Sequence, residues 1–147
     1  MLPAAFQRAG DFISEGFLDT LKSRKLSVDL LLVDPQMSSL TDRSFLAKLR
    51  SECILPARAA GCTSLWLAGI SMGAFIALLY AEAFPADITG LCLLAPYLGN
   101  HIVISEIAGH PSLASWEIAT ASISDEFNEE RRLWRFAARS KTQSVQW

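Results

Sequence analysis

Residues Leu65–Tyr80 read LWLAGISMGAFIALLY. Ser71 stands between Gly69 and Gly73, after an apolar run and before an alanine-rich one. The spacing predicts a strand over Ser64–Ala68 and a helix over Met72–Phe84, stopped by Pro85. Little chain is left to turn from one into the other. A turn that tight pushes its residue toward positive φ. Side chains two positions either side would strike the neighbouring backbone, so glycine is wanted at both places. Ala74, Ala77 and Ala81 recur along the helix and let it lie close against a sheet.

The rest of the chain continues the alternation. Asp11–Arg24 carries Phe12, Ile13, Phe17, Leu18 and Leu21 at helical spacing, with Asp11 placed to cap it. Val28–Val33 is an apolar run closed by Asp34-Pro35 and reads as a buried strand. Ser38–Ser44 is polar and loop-like. A helix is expected over Asp42–Ala60, kinked or ended at Pro56 and stopped by Gly61. Ile88–Ala95 reads as another buried strand, ended by Pro96, with Cys92 a small core residue. His101–Ser122 lacks a clear period. A last helix is expected over Asp125–Arg139. This order predicts an α/β fold with three or more parallel strands and helices on both faces.

The chain has 147 residues, enough for one modest domain, with 101–147 as a cap or helical C-terminal segment. Hydrophobic residues at 51% and charged ones at 19% exclude a disordered chain. A net charge of −2 without a basic block argues against a nucleic-acid partner. Arg131, Arg132 and Arg135 follow Glu129 and Glu130, as on a solvated helix face. Cys53, Cys62 and Cys92 are odd in number and form no C-x-x-C, so neither a disulfide framework, a zinc site nor another metal site is favoured. That usage fits a reducing, cytoplasmic setting. No apolar run reaches the ~18 residues of a membrane span. No secretory leader is visible ahead of the first helix.

A serine hydroxyl at the carboxyl end of a parallel strand stands where open α/β sheets bind ligands. The following helix turns its free N–H groups to the same place, which suits a developing oxyanion. G-x-S-x-G alone is a weak pattern; a strand before it and a helix after it sharpen it. The plainer alternative is a tight turn with serine as a helix cap. An anion-cradling nucleotide domain is disfavoured because G-x-G-x-x-G and G-x-x-x-x-G-K-[ST] are absent. A Ser–Asp dyad of the patatin type ranks lower still, since no D-G-[GA] follows.

The strand–G-I-S-M-G–helix unit resembles the nucleophile elbow of the α/β-hydrolase superfamily. The stretch ARAAGCTSLWLAGISMGAFIALLYAEAFPADITGLCLLAPYLGN is similar to the central part of bacterial serine esterases. The resemblance is strongest over Leu40–Asn100 and thin beyond His101. It implies a partial α/β-hydrolase fold that attacks an ester or thioester of a small acyl substrate through Ser71, with no cofactor. It implies Met72 N–H as one oxyanion donor. The other would come from the loop LPAAF, through Ala4 or Ala5, where the family often carries His-Gly.

The resemblance also implies an acid and a histidine after the serine. His101 and His110 are the only histidines, and both read as loop residues. Asp125 and Glu126 open the last helix, and Asp34 precedes the serine against the family order. Trp116 and Trp134 could line an acyl pocket, though aromatic residues at helical spacing are more often core. The Tyr97-Leu98-Gly99-Asn100 segment would border the site. A strand expected before Leu2 and strands expected after His101 point to a fragment, or to an abbreviated homologue pairing through exposed sheet edges. The alternative function is a non-catalytic interaction module that retains the turn without the base.

Overall fold

The computed structural model describes residues 1–35, 44–123 and 128–140. The chain divides into two compact units, Met1–Tyr97 and Leu98–Trp147.

The first unit is built on helix α5 (Met72–Ala83), whose residues MGAFIALLYAEA include a single charge, Glu82. A helix apolar nearly all round belongs inside. Ala74, Ile76, Ala77 and Tyr80 are completely buried. It packs on the strands β1 (Trp66–Ile70) and β2 (Gly90–Leu94), which pair in parallel with Ile70 opposite Leu94. Helix α3 (Ser44–Leu49) packs on α5 and brings in Phe45, Leu46 and Leu49. A π-helical stretch, Arg50–Ile54, joins α3 to α4 (Leu55–Ala59), with Pro56 in the first turn of α4. Proline supplies no N–H to the regular ladder, so the backbone widens ahead of it. The chain then turns at Gly61, whose φ is 92°.

The expected fold of three or more strands with helices on both faces is not what forms. Among the described residues the sheet has two strands, so the partial α/β-hydrolase architecture is overturned. The predicted strand Val28–Val33 is irregular, and Val28 and Leu31 lie more than half exposed. Among the described residues its pairing is confined to Val33 N–H on Met1 O and the Met1 amine on Leu31 O. An apolar run shows only that a segment gains by burial. A strand also needs a neighbour offering a ladder over several residues.

The predicted helix Asp11–Arg24 is two helices, α1 (Asp11–Ser14) and α2 (Phe17–Ser23), broken at Gly16 with φ 79°. Asp11 is not the cap. Gly10 holds that place, and the Asp11 carboxylate accepts from Arg8 N–H at 2.8 Å. Cys92 is exposed on β2 rather than buried. Of the expected loop Ser38–Ser44, residues 38–43 lie outside the described residues, as does the helix start at Asp42, and Ser44 is the first residue of α3.

The second unit holds α6 (His101–Ala108), α7 (Leu113–Ala119) and α8 (Glu129–Ser140). The first two lie where the sequence shows no clear period. Their caps explain them. Asn100 accepts from Ile102 and Val103 N–H, and Ser112 forms a capping box with Ser115. Trp116 is the fully buried centre, and its Nε1–H donates to Glu106 at 2.9 Å. Among the described residues no helix is long and apolar enough to cross a membrane.

Candidate active site at the turn after β1

Ser71 follows the last residue of β1 and precedes the first of α5. Its backbone sits at φ 51°, ψ −110°. Such a conformation costs on the order of 1–3 kcal/mol and persists only where the surroundings over-determine it. Here they do. Ser71 N–H donates to Leu94 O at 2.9 Å, tying the turn to the end of β2. Its carbonyl accepts from Ala74, Phe75 and Tyr97 N–H, each at 3.1 Å. The Tyr97 ring packs edge-on against Phe75 at 5.4 Å. Leu94 and Tyr97 thus hold the serine from the β2 side.

The two glycines have no room for side chains. A Cβ on Gly69 would lie 2.3 Å from the Gly73 carbonyl carbon. A Cβ on Gly73 would lie 2.2 Å from Leu2 O and 2.6 Å from Pro3 O. The second clash places the Leu2-Pro3 backbone directly against the start of α5. Leu2 reaches that position by pairing beside β1. Leu2 N–H donates to Ala68 O at 2.8 Å, and Ile70 N–H donates to Leu2 O at 3.2 Å. This is a single parallel bridge, Leu2 opposite Gly69, on the side of β1 away from β2.

Backbone donors without an acceptor occur at the start of α5 and in the segment after Pro3, whose backbone abuts Gly73. The first N–H groups of a helix lack partners within it. Among the described residues Met72 and Gly73 N–H have no acceptor, nor do Ala4 and Ala5 N–H. Ser71, Met72, Ala4 and Ala5 are all half-buried, so water or a ligand can reach them. The Ser71 hydroxyl makes no hydrogen bond to a described group.

A shallow half-open cleft begins beside these residues. It is lined by Pro3, Arg8, Asp11, Phe12, Phe17 and Ile70, among others, and holds about 30 Å³.

The other candidates have these surroundings within their own units. Residues 1–97 contain no histidine. His101 is exposed in the first turn of α6. His110 has its Nδ1 2.9 Å from Glu106 O. The Glu106 carboxyl is held below its usual range, chiefly by the Arg131 guanidinium at 2.6 Å and also by Trp116. Asp34 accepts from Ala9 N–H and so belongs to the loop that follows Ala5. Asp125 and Glu126 lie outside the described residues. Trp116 is core to its own unit, and Trp134 donates to Leu98 O at 2.7 Å. Gly99 and Asn100 contact Glu130 within the second unit. Among the described residues no group of histidine, cysteine and carboxylate side chains could hold a metal ion.

Sequence reasoning passed over Leu94 and Leu2, which act through backbone atoms. The signal for Leu94 was the end of an apolar run just before Ala95-Pro96. Leu2 carried none beyond its apolar character. Comparison with family models, with curated proteins and with solved structures finds no match.

Proposed function

We propose that the chain is a serine hydrolase that opens an ester or thioester of a small acyl substrate through an acyl-enzyme on Ser71. The observation that carries this reading is the strained Ser71 backbone at the start of α5, where Met72 and Gly73 N–H, like Ala4 and Ala5 N–H, have no acceptor among the described residues. A turn that served only to connect strand and helix could relax by placing glycine at position 71. The resemblance of G-I-S-M-G to a nucleophile elbow supports the same reading.

Ser71 Oγ attacks the carbonyl carbon and passes its proton to a base. The tetrahedral oxyanion accepts from Met72 N–H and from Ala4 or Ala5 N–H. Collapse expels the alcohol or thiol, which takes up the proton. Water then attacks the acyl-enzyme and restores the hydroxyl. The mechanism requires no cofactor or metal, and nucleic acid is not a partner in it. A cytoplasmic setting and pairing of copies through a sheet edge belong to the same reading.

A second reading has its own observation. The unit that carries Ser71 has no histidine, which favours an interaction module that keeps the turn without turnover. A fluorophosphonate probe separates the two. The hydrolase reading expects one adduct, mapped to Ser71 and absent in Ser71→Ala. A folded protein that stays unlabelled leaves the interaction module.

A further inference from the structure

We infer that Tyr97 is a positioning residue for Ser71, brought to the turn by a one-residue bulge after β2 and held there by its ring. This rests on Ser71 as nucleophile and names what keeps that nucleophile in place. A residue in a parallel ladder bonds the two neighbours of the residue opposite it. Leu2 shows the pattern: opposite Gly69, it donates to Ala68 O and accepts from Ile70 N–H. Ile70 lies opposite Leu94, so the register carried one step further sets Ser71 opposite Ala95. Ser71 N–H accordingly donates to Leu94 O at 2.9 Å. The matching donor to Ser71 O would stand at position 96, and that residue is Pro96, which has no N–H.

Tyr97 N–H takes that place, at 3.1 Å from Ser71 O. Pro96 and Tyr97 thus fill the space that the ladder allots to one residue. Proline is admitted to sheets at such bulges. Ala95 makes the detour, with a φ of 43° at an exposed position. That conformation is strained for any residue with a Cβ. The detour brings in more than a donor. The Tyr97 ring meets Phe75 edge to face at 5.4 Å. Phe75 is buried near the start of α5, and its own N–H donates to Ser71 O at 3.1 Å. The contacts therefore close on themselves: Ser71 carbonyl to Tyr97 N–H, Tyr97 ring to Phe75 ring, Phe75 N–H back to the same carbonyl. With Leu94 O on the amide, the Leu94–Tyr97 segment grips both backbone polar groups of Ser71. Loss of the ring releases one end of that grip, and the strained φ of Ser71 loses its support.

Two readouts on the full-length chain test this. A fluorophosphonate labels Ser71, and Tyr97→Ala slows adduct formation in the folded protein at least about tenfold, a loss that a misplacement of about 1 Å accounts for. Tyr97→Phe, which keeps the ring, rescues the rate to within about threefold of the natural chain. A tyrosine that served stability alone would lower Tm in Tyr97→Ala and leave labelling of the folded chain unchanged. Thermal unfolding needs no chemistry at Ser71. Ser71→Gly gains about 3 °C in the natural background and under about 1 °C in the Tyr97→Ala background, where the turn is already free to relax. Tyr97→Leu replaces Tyr97→Ala if circular dichroism shows the latter unfolded. Equal labelling of the natural and Tyr97→Ala chains, or a Tyr97→Phe chain as slow as Tyr97→Ala, overturns the ring as positioning element while Ser71 remains the nucleophile. The same Ser71→Gly gain in both backgrounds overturns the grip whatever the chemistry of Ser71. No adduct on the natural chain overturns the nucleophile itself, and the role of Tyr97 toward it.

Discussion

Phe6, Lys25, Ser71 and Ala95 hold positive φ without being glycine. Lys25 has an ordinary reason. Its N–H donates to Lys22 O and Leu26 N–H donates to Leu21 O, the paired bonds that end helix α2. Ser71 has no such excuse, because it opens a helix rather than closing one. Its strain is therefore removable. Ser71→Gly relieves about 1–3 kcal/mol of backbone strain and gives back about 0.5–1 in unfolded-chain entropy. The expected net gain is about 1 kcal/mol, or about 3 °C in Tm. Ser71→Ala keeps the strain and shows no such gain. Thermal unfolding of the two variants checks this. Equal Tm values for both would mean that position 71 is unstrained, and the turn would lose its claim to hold a reactive hydroxyl.

At the scale of elements, the join between α5 and β2 is held by a small polar cluster. Arg50, on the π-helical stretch, sets Nε 2.6 Å from Asp87 and stacks over Phe84 at 4.7 Å. Arg58 donates to Asp87 O at 3.0 Å, and Tyr80 OH to the Asp87 carboxylate at 2.9 Å. The Asp87 carboxyl is held below its usual range, first by the hydrogen bond from Arg50 and then by that from Tyr80, against desolvation. Burial, and then the bond to Asp87, push the Tyr80 phenol well above the ordinary tyrosine range. For Asp87 the sign is fixed: the unfolded chain takes up the proton at higher pH than the folded one. Its stabilisation is whole above the ordinary carboxylate range and is lost as pH falls through the lower folded value. Thermal melts from neutral to acid pH should show Asp87→Asn flattening the acid limb. At neutral pH Tyr80→Phe should cost about 1 kcal/mol. An acid limb unchanged in Asp87→Asn would refute the linkage.

These elements also show what the sequence could and could not reveal. Glycines at 69 and 73 were legible because a tight turn leaves no other residue room. Strand edges were less so. Both strands were expected to begin two residues early, at Ser64 and Ile88. Thr89 N–H still donates to Leu65 O at 2.6 Å, but Leu65 N–H bonds the Thr89 hydroxyl at 2.9 Å in place of a backbone carbonyl. The Val28–Val33 run was misread because hydrophobicity carries no information about whether a partner strand is at hand. The donors at Ala4 and Ala5 were reached through a resemblance alone. What puts them beside α5 is backbone pairing of Leu2, invisible to any side-chain pattern.

For the whole molecule, the outer side of β2 is the unfinished part. Among the described residues β1 is its only strand partner, and β1 lies on one side. The strand reads GLCLL, with Cys92 and Leu94 exposed, and Trp66 on β1 is 59% exposed across Gly90. An apolar edge with free backbone groups is a template for another strand, and natural edges usually carry lysine or proline to prevent that. This one carries neither. The expected outcome is reversible self-association between micromolar and millimolar concentration, read by sedimentation velocity. The Cys92 thiol gives a second reading, because it stands on the same strand. Maleimide should modify it quickly in dilute protein and slowly in concentrated protein. Cys92→Lys puts a charge on the edge and should hold the chain monomeric over the same range. A natural chain that stays monomeric throughout, with Cys92 equally reactive at every concentration, would mean that the edge is covered by something other than a second copy.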